Sequence, residues 1–108
     1  MNIGKLYQVK QYFWYLYPAK DIATAAINDA AALDDYSAPC ATAADENAAW
    51  LSNFHNCNVT YISPKDIFCL LEEHGNFLEI LSTNGKLGWI YYSEAQEWTE
   101  GCIEEVNE

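Results

Sequence analysis

The chain changes composition twice, and this double switch constrains its fold more than any single motif. Residues 4–17 are dense in aromatics, residues 19–57 are rich in alanine, and residues 58–106 return to β-branched and aromatic side chains. Alanine is the best helix former, whereas aromatic and β-branched residues favour a pleated surface. Strand-forming flanks around a helix-forming middle predict an α+β chain. Lys5 to Lys10 alternates apolar and polar residues, the pattern of a half-buried strand, and Tyr12 to Tyr17 extends the strand character until Pro18 stops it.

The middle reads as two helices. Ile22, Ala25, Ala26, Asp29 and Leu33 fall at helical spacing, as do Ala23, Ile27 and Ala30, with Pro18 and Asp21 suited to the helix start. A break over residues 34–39 ends the first helix. The second runs from about Thr42 to Phe54, with Thr42 as N-cap and Ala43, Asn47, Trp50, Leu51 and Phe54 as its stripe. Their small faces predict a helical hairpin turning at Pro39. Beyond it come strands at residues 58–62, 66–72, 77–81, 87–92 and 102–106. His74-Gly75-Asn76 and Thr83-Asn84-Gly85-Lys86 are the hairpin turns, and a helical turn is expected around Glu94 to Trp98. Asn-Gly is the strongest of these signals, because it adopts the positive φ angles of a tight hairpin.

At 108 residues the chain is sized for a single domain, and 51% hydrophobic residues suffice for a core. Five lysines, no arginine and sixteen acids give a net charge of −11, which argues against direct nucleic-acid binding and against docking on an anionic membrane. No apolar run reaches the roughly 20 residues of a membrane span. The N-terminus lacks the basic-then-apolar pattern of an export signal, so a cytoplasmic location is expected. Cys40, Cys57, Cys69 and Cys102 contain no CxxC pair and are expected as free thiols.

Asp66-Ile67-Phe68-Cys69-Leu70-Leu71-Glu72 resembles the second strand of a Src-homology-3-like barrel. Gly85-Lys86-Leu87-Gly88-Trp89-Ile90 resembles that fold's distal hairpin and following strand, and Cys102 to Val106 its closing strand. The resemblance implies a small barrel of about five strands built from residues 4–17 and 58–106, with residues 19–57 as a two-helix insertion. Tyr91 stands where the family usually has proline, and Phe77 stands roughly where its groove tryptophan would, so binding of proline-rich peptides is not carried over. The small size, ordered composition and acid excess are also similar to those of tailed-phage accessory proteins. That likeness implies a virion component or an inhibitor of a host nucleic-acid enzyme, placed in the virion or the host cytoplasm.

No catalytic constellation stands out, and neither a cofactor nor a metal is expected. Cys40, His55 and Cys57 form the one grouping with metal or thiol-enzyme character, but zinc needs about four convergent ligands, usually from paired motifs. Glu72 and Glu73 are adjacent on a strand and point to opposite faces, so they do not converge as an acid pair.

The aromatics and acids are the stronger candidates for recognition. Strand alternation places Tyr12, Trp14 and Leu16 on one side and Phe13, Tyr15 and Tyr17 on the other, with one set meeting either helix or solvent. The acids crowd residues 65–108, which carry ten of them and two lysines. The expected function is a non-enzymatic interaction module or accessory protein that binds another protein through Tyr12, Trp14, Tyr17, Trp89, Tyr91 and Trp98, with the carboxylates of Glu97, Glu100, Glu104 and Glu105. A basic surface is the natural complement. An acidic mimic of nucleic acid, a phage virion protein, and a small zinc or thiol enzyme are the alternatives, and the oligomeric state is open.

Overall fold

The aromatic stretch near the N-terminus does not continue as one strand. Tyr12 sits at φ 70°, a left-handed turn that L-residues rarely adopt, and it divides β1 (Leu6–Val9) from β2 (Phe13–Leu16). The computed structural model describes residues 2–33, 40–41, 57–92 and 101–106. Among them follow α1 (Lys20–Ala32), β3 (Cys40–Ala41), β4 (Thr60–Ile62), β5 (Ile67–His74), β6 (Phe77–Ser82), β7 (Leu87–Tyr91) and β8 (Ile103–Glu105).

The strands form two antiparallel sheets, one of five strands in the order β7-β6-β5-β1-β8 and one of three in the order β3-β2-β4. This corrects the expected closed barrel of about five strands. The larger sheet is open, with β7 and β8 as its edges. Residues 4–17 are shared between the sheets, because the left-handed Tyr12 redirects the chain. The expected insertion at 19–57 is not purely helical either, since Cys40–Ala41 pairs with β2. The described residues hold a single helix and no two-helix hairpin. The expected second helix at 42–54 lies outside them, as does the turn around Glu94 to Trp98.

Alternation in the larger sheet sorts the side chains cleanly. Tyr7 and Val9 on β1, Phe68 and Leu70 on β5, and Leu78 and Ile80 on β6 are buried on its inner face. Against them lie Trp14, Leu16 and Ile62 of the smaller sheet, forming the first core. Each fully buried aliphatic side chain of this kind contributes about 1.5–3 kcal/mol. Trp14 has no exposed surface, and its indole N–H donates to the Gln11 carbonyl at 2.9 Å.

The other face of β2 builds a second core. Tyr15 and Tyr17 pack against Ala23, Ala26 and Ala30 of α1, with Trp89 and Phe77 at the margin. Both faces of β2 are therefore covered, which explains why Phe13-Trp14-Tyr15-Leu16 reads as a continuous apolar run. Alanine at 23, 26 and 30 leaves the helix face small enough to lie close on the tyrosines. Asp21 occupies its first turn, as the helix dipole favours.

Two hairpins set the register of the larger sheet. Between β5 and β6 the loop is Gly75-Asn76, with Gly75 at φ 61°. Between β6 and β7, the Gly85 N–H donates to the Ser82 carbonyl at 2.9 Å and the Ser82 N–H to the Lys86 carbonyl at 2.8 Å. Gly85 alone takes the positive φ, at 86°. That is a three-residue loop closed by a glycine bulge, rather than the two-residue turn in which Asn84 would also be left-handed.

Candidate partner-binding face

The hairpin register fixes what the outer face of the larger sheet presents. Glu79 stands opposite Trp89, and Phe77 opposite Tyr91. On the other side of β6, His74 stands opposite Phe77, and Glu72 opposite Glu79. Two of the expected recognition residues, Trp89 and Tyr91, are thus neighbours on one strand, two positions apart and on one face. Both are half-buried. The Phe77 and Tyr91 rings meet edge to face at 5.2 Å, and the His74 ring lies 5.5 Å from that of Trp89.

Carboxylates border these rings. Glu72 and Glu79 oppose one another directly across β5 and β6, a like-charge pairing that lowers stability. His74 Nε2 lies 3.5 Å from Glu72 Oε2, with both side chains about half exposed. Just before Glu72 the register shifts, so two residues of β5 face one of β6, and Leu71 is the extra residue. Bulges of this kind re-aim neighbouring side chains, and this one brings Glu72 into line with Glu79.

The remaining expected residues are dispersed. Trp14 and Tyr17 are wholly buried, each with 0% exposure, so neither offers a surface to a partner; they fill the two cores instead. Tyr12 is half-buried against the first core. Glu104 and Glu105 are exposed on β8, the opposite edge of the five-stranded sheet from Trp89 and about 19 Å away at ordinary strand spacing. Glu104 lies 4.0 Å from Lys10. Trp98, Glu97 and Glu100 lie outside the described residues. The aromatics and acids expected on one surface therefore occupy two edges of a sheet.

His74, Phe77, Glu72 and Glu79 were absent from the expected recognition set. The Asn84-Gly85 turn carried the signal for two of them, because fixing that hairpin places Glu79 beside Trp89 and Phe77 beside Tyr91. The bulge at Leu71 has no comparable mark in the sequence.

The thiols are placed as packing groups. Cys40 is buried in the first core, and burial, followed by the nearby Cys102 thiol, pushes its pKa up to about 12. Burial also raises Cys102, whose Sγ lies 3.9 Å from Gln11 Oε1. Protonated thiols of this kind are poor nucleophiles and poor metal ligands. Cys57 sits at the margin of the second core, apart from Cys40, and His55 lies outside the described residues. Among the described residues no three His, Cys, Asp or Glu side chains converge as a metal site, and no helix is long and apolar enough to cross a membrane.

Compared with known protein families, with curated proteins and with solved structures, the chain matches none.

Proposed function

We propose that the protein is a non-enzymatic interaction module that engages another protein through the outer face of its five-stranded sheet at Trp89 and Tyr91. The observation that carries this is the opposed pair Glu72 and Glu79 beside those rings. A chain under selection for stability alone gains nothing from two carboxylates facing each other across a ladder. Lysine or arginine from a partner would remove that repulsion, while the aromatic rings supply anchoring area. The net charge of −11 would steer such a partner in and make association salt-sensitive.

The test is affinity capture from the source cell with the parent chain, Tyr91→Ala, and Glu72→Gln with Glu79→Gln. A partner retained by the parent should be lost by Tyr91→Ala and weakened by the glutamine pair, with circular dichroism unchanged. Equal retention by all three chains would refute the assignment. If duplex DNA competes for the retained protein and binding collapses with salt, the partner is a nucleic-acid-binding protein and the carboxylates act in place of phosphates.

A further inference from the structure

The outer face of the larger sheet carries a second feature beside the aromatic patch. In register across four strands lie Leu6 on β1, Cys69 on β5, Leu81 on β6 and Leu87 on β7. Val106, whose N–H donates to the Leu6 carbonyl at 2.9 Å, extends the row one step past β1, immediately after the last residue of β8. The three leucines are 39%, 40% and 59% exposed. Scattered surface leucines need no explanation, but aligned ones across a sheet form one contiguous strip. Leu81 and Leu87 sit two residues from Glu79 and Trp89 on the same face, so the strip adjoins the aromatic patch.

The charges around the strip select its occupant. The acidic flank is on one side: one row over lie Glu72 and Glu79, whereas one row over on the other side Glu104 stands opposite Gln8 with Lys10 4.0 Å away and Lys65 beside Gln8. Lys86 does not neutralise Glu72 or Glu79, because its ammonium donates to the Tyr61 carbonyl at 3.1 Å. Lys10 is taken up by Glu104. A second copy is a poor occupant, since it would bring another −11 against this face.

We infer that this leucine row is the apolar centre of the docking surface, and that it takes a partner segment presenting a row of aliphatic side chains flanked by lysine or arginine. This rests on the protein-binding assignment above and names the partner's chemistry. Row and patch together lie across four strands, about 14 Å at ordinary spacing, with Val106 adding one further step.

The test uses the full chain and three fluorescein-labelled decapeptides with two charged residues at each end of a six-residue core, followed by anisotropy: an alternating Leu-Ser core between lysines (Leu-Lys), an all-serine core between lysines (Ser-Lys), and an alternating Leu-Ser core between glutamates (Leu-Glu). The Leu-Lys peptide should bind saturably at one per chain, Ser-Lys at least tenfold more weakly, and Leu-Glu not measurably. Leu81→Ser with Leu87→Ser should cut Leu-Lys binding at least tenfold while circular dichroism shows the fold retained, the melting temperature falling only modestly because the two side chains are 40% and 59% exposed; Leu87→Lys alone should weaken it in the same direction. Leu-Glu binding as tightly as Leu-Lys, or serine variants binding like the parent, would overturn the inference. So would light scattering showing a dimer that the serine variants dissociate, since the strip would then be filled by a second copy. If Tyr91→Ala abolishes peptide binding while the leucine variants do not, the leucine row is wrong and the protein-binding assignment survives. If cell capture retains no partner while the leucine variants lose the Leu-Lys peptide, the assignment fails and the row's chemistry stands.

Discussion

Tyr17 and Trp89 exchange two backbone hydrogen bonds, the Tyr17 N–H donating to the Trp89 carbonyl at 2.8 Å and the Trp89 N–H to the Tyr17 carbonyl at 2.7 Å. This bridge ties the end of β2 to the outer edge of β7. It partly occupies an edge that would otherwise be open to pairing with another chain. It also holds Trp89 beside α1, so the aromatic patch is braced by the second core.

The bridge depends on Gly88. A Cβ there would lie 2.6 Å from the Tyr17 carbonyl oxygen and 2.8 Å from Leu16 Cγ. The oxygen belongs to the backbone and cannot step aside without disturbing the bridge. Gly88→Ala is expected to lower stability by about 1–3 kcal/mol. Urea denaturation measures it, and an unchanged midpoint would show that β2 does not cross β7 this closely.

Trp14 is the largest fully buried side chain and links the two sheets. Its ring meets that of Tyr92 edge to face at 5.4 Å. Trp14→Ala should cost about 3–5 kcal/mol, through lost burial and the remaining cavity. Trp14→Phe should cost less, since it keeps most of the ring contact and loses the hydrogen bond to Gln11. Thermal denaturation of the two variants should preserve that order.

Lys65 is exposed and sits at φ 81°, with its N–H donating to the Val9 carbonyl at 2.7 Å. A left-handed conformation costs an L-residue roughly 1–2 kcal/mol, and glycine's own loss of freedom returns roughly 0.5–1 of that. Lys65→Gly should therefore raise stability by about 0.5–1 kcal/mol, read as a higher urea midpoint at unchanged slope.

The cysteines should divide into two classes. At pH 8, Ellman's reagent should label Cys57 and Cys69, both half-buried, in the native protein. Cys40 and Cys102 should react only after unfolding, because buried thiols stay protonated. Mass spectrometry of the labelled peptides distinguishes the pairs.

Alkaline pH should destabilise the fold. Cys40 is raised by burial from 9.0 to about 12, and burial followed by the neighbouring Tyr15 raises Tyr17 above its ordinary 10.0. Each group loses its proton at lower pH when unfolded than when folded, so the unfolded state binds fewer protons in that interval. The associated stability is fully present below about pH 9 and is lost as pH climbs toward the folded values. Urea midpoints that stay flat between pH 8 and pH 11 would contradict this.

Local chemistry was legible where one element settles it. Pro18 and the alanine spacing marked α1, the period-two pattern marked β1, and glycine marked the turns at Gly75 and Gly85. What was not legible was which strand joins which sheet. Tyr12 gives no warning of a left-handed turn, since aromatic residues favour strands, and its effect is to send β2 away from β1. For the candidate site, Trp89 and Tyr91 were visible as aromatic and strand-borne. Trp14 and Tyr17 looked equivalent to them until packing buried both.

Residue order by itself determined the alternation of side chains, the helix and the hairpin positions, because these depend on φ and ψ preferences and on neighbours a few places apart. Only the tertiary structure decided that β2 would be covered on both faces, that the larger sheet would remain open, and that Leu6, Cys69, Leu81 and Leu87 would align. Those outcomes rest on contacts between residues far apart in the chain, 63 positions for Leu6 with Cys69 and 100 for Leu6 with Val106, and their energies come from burial that no local pattern contains.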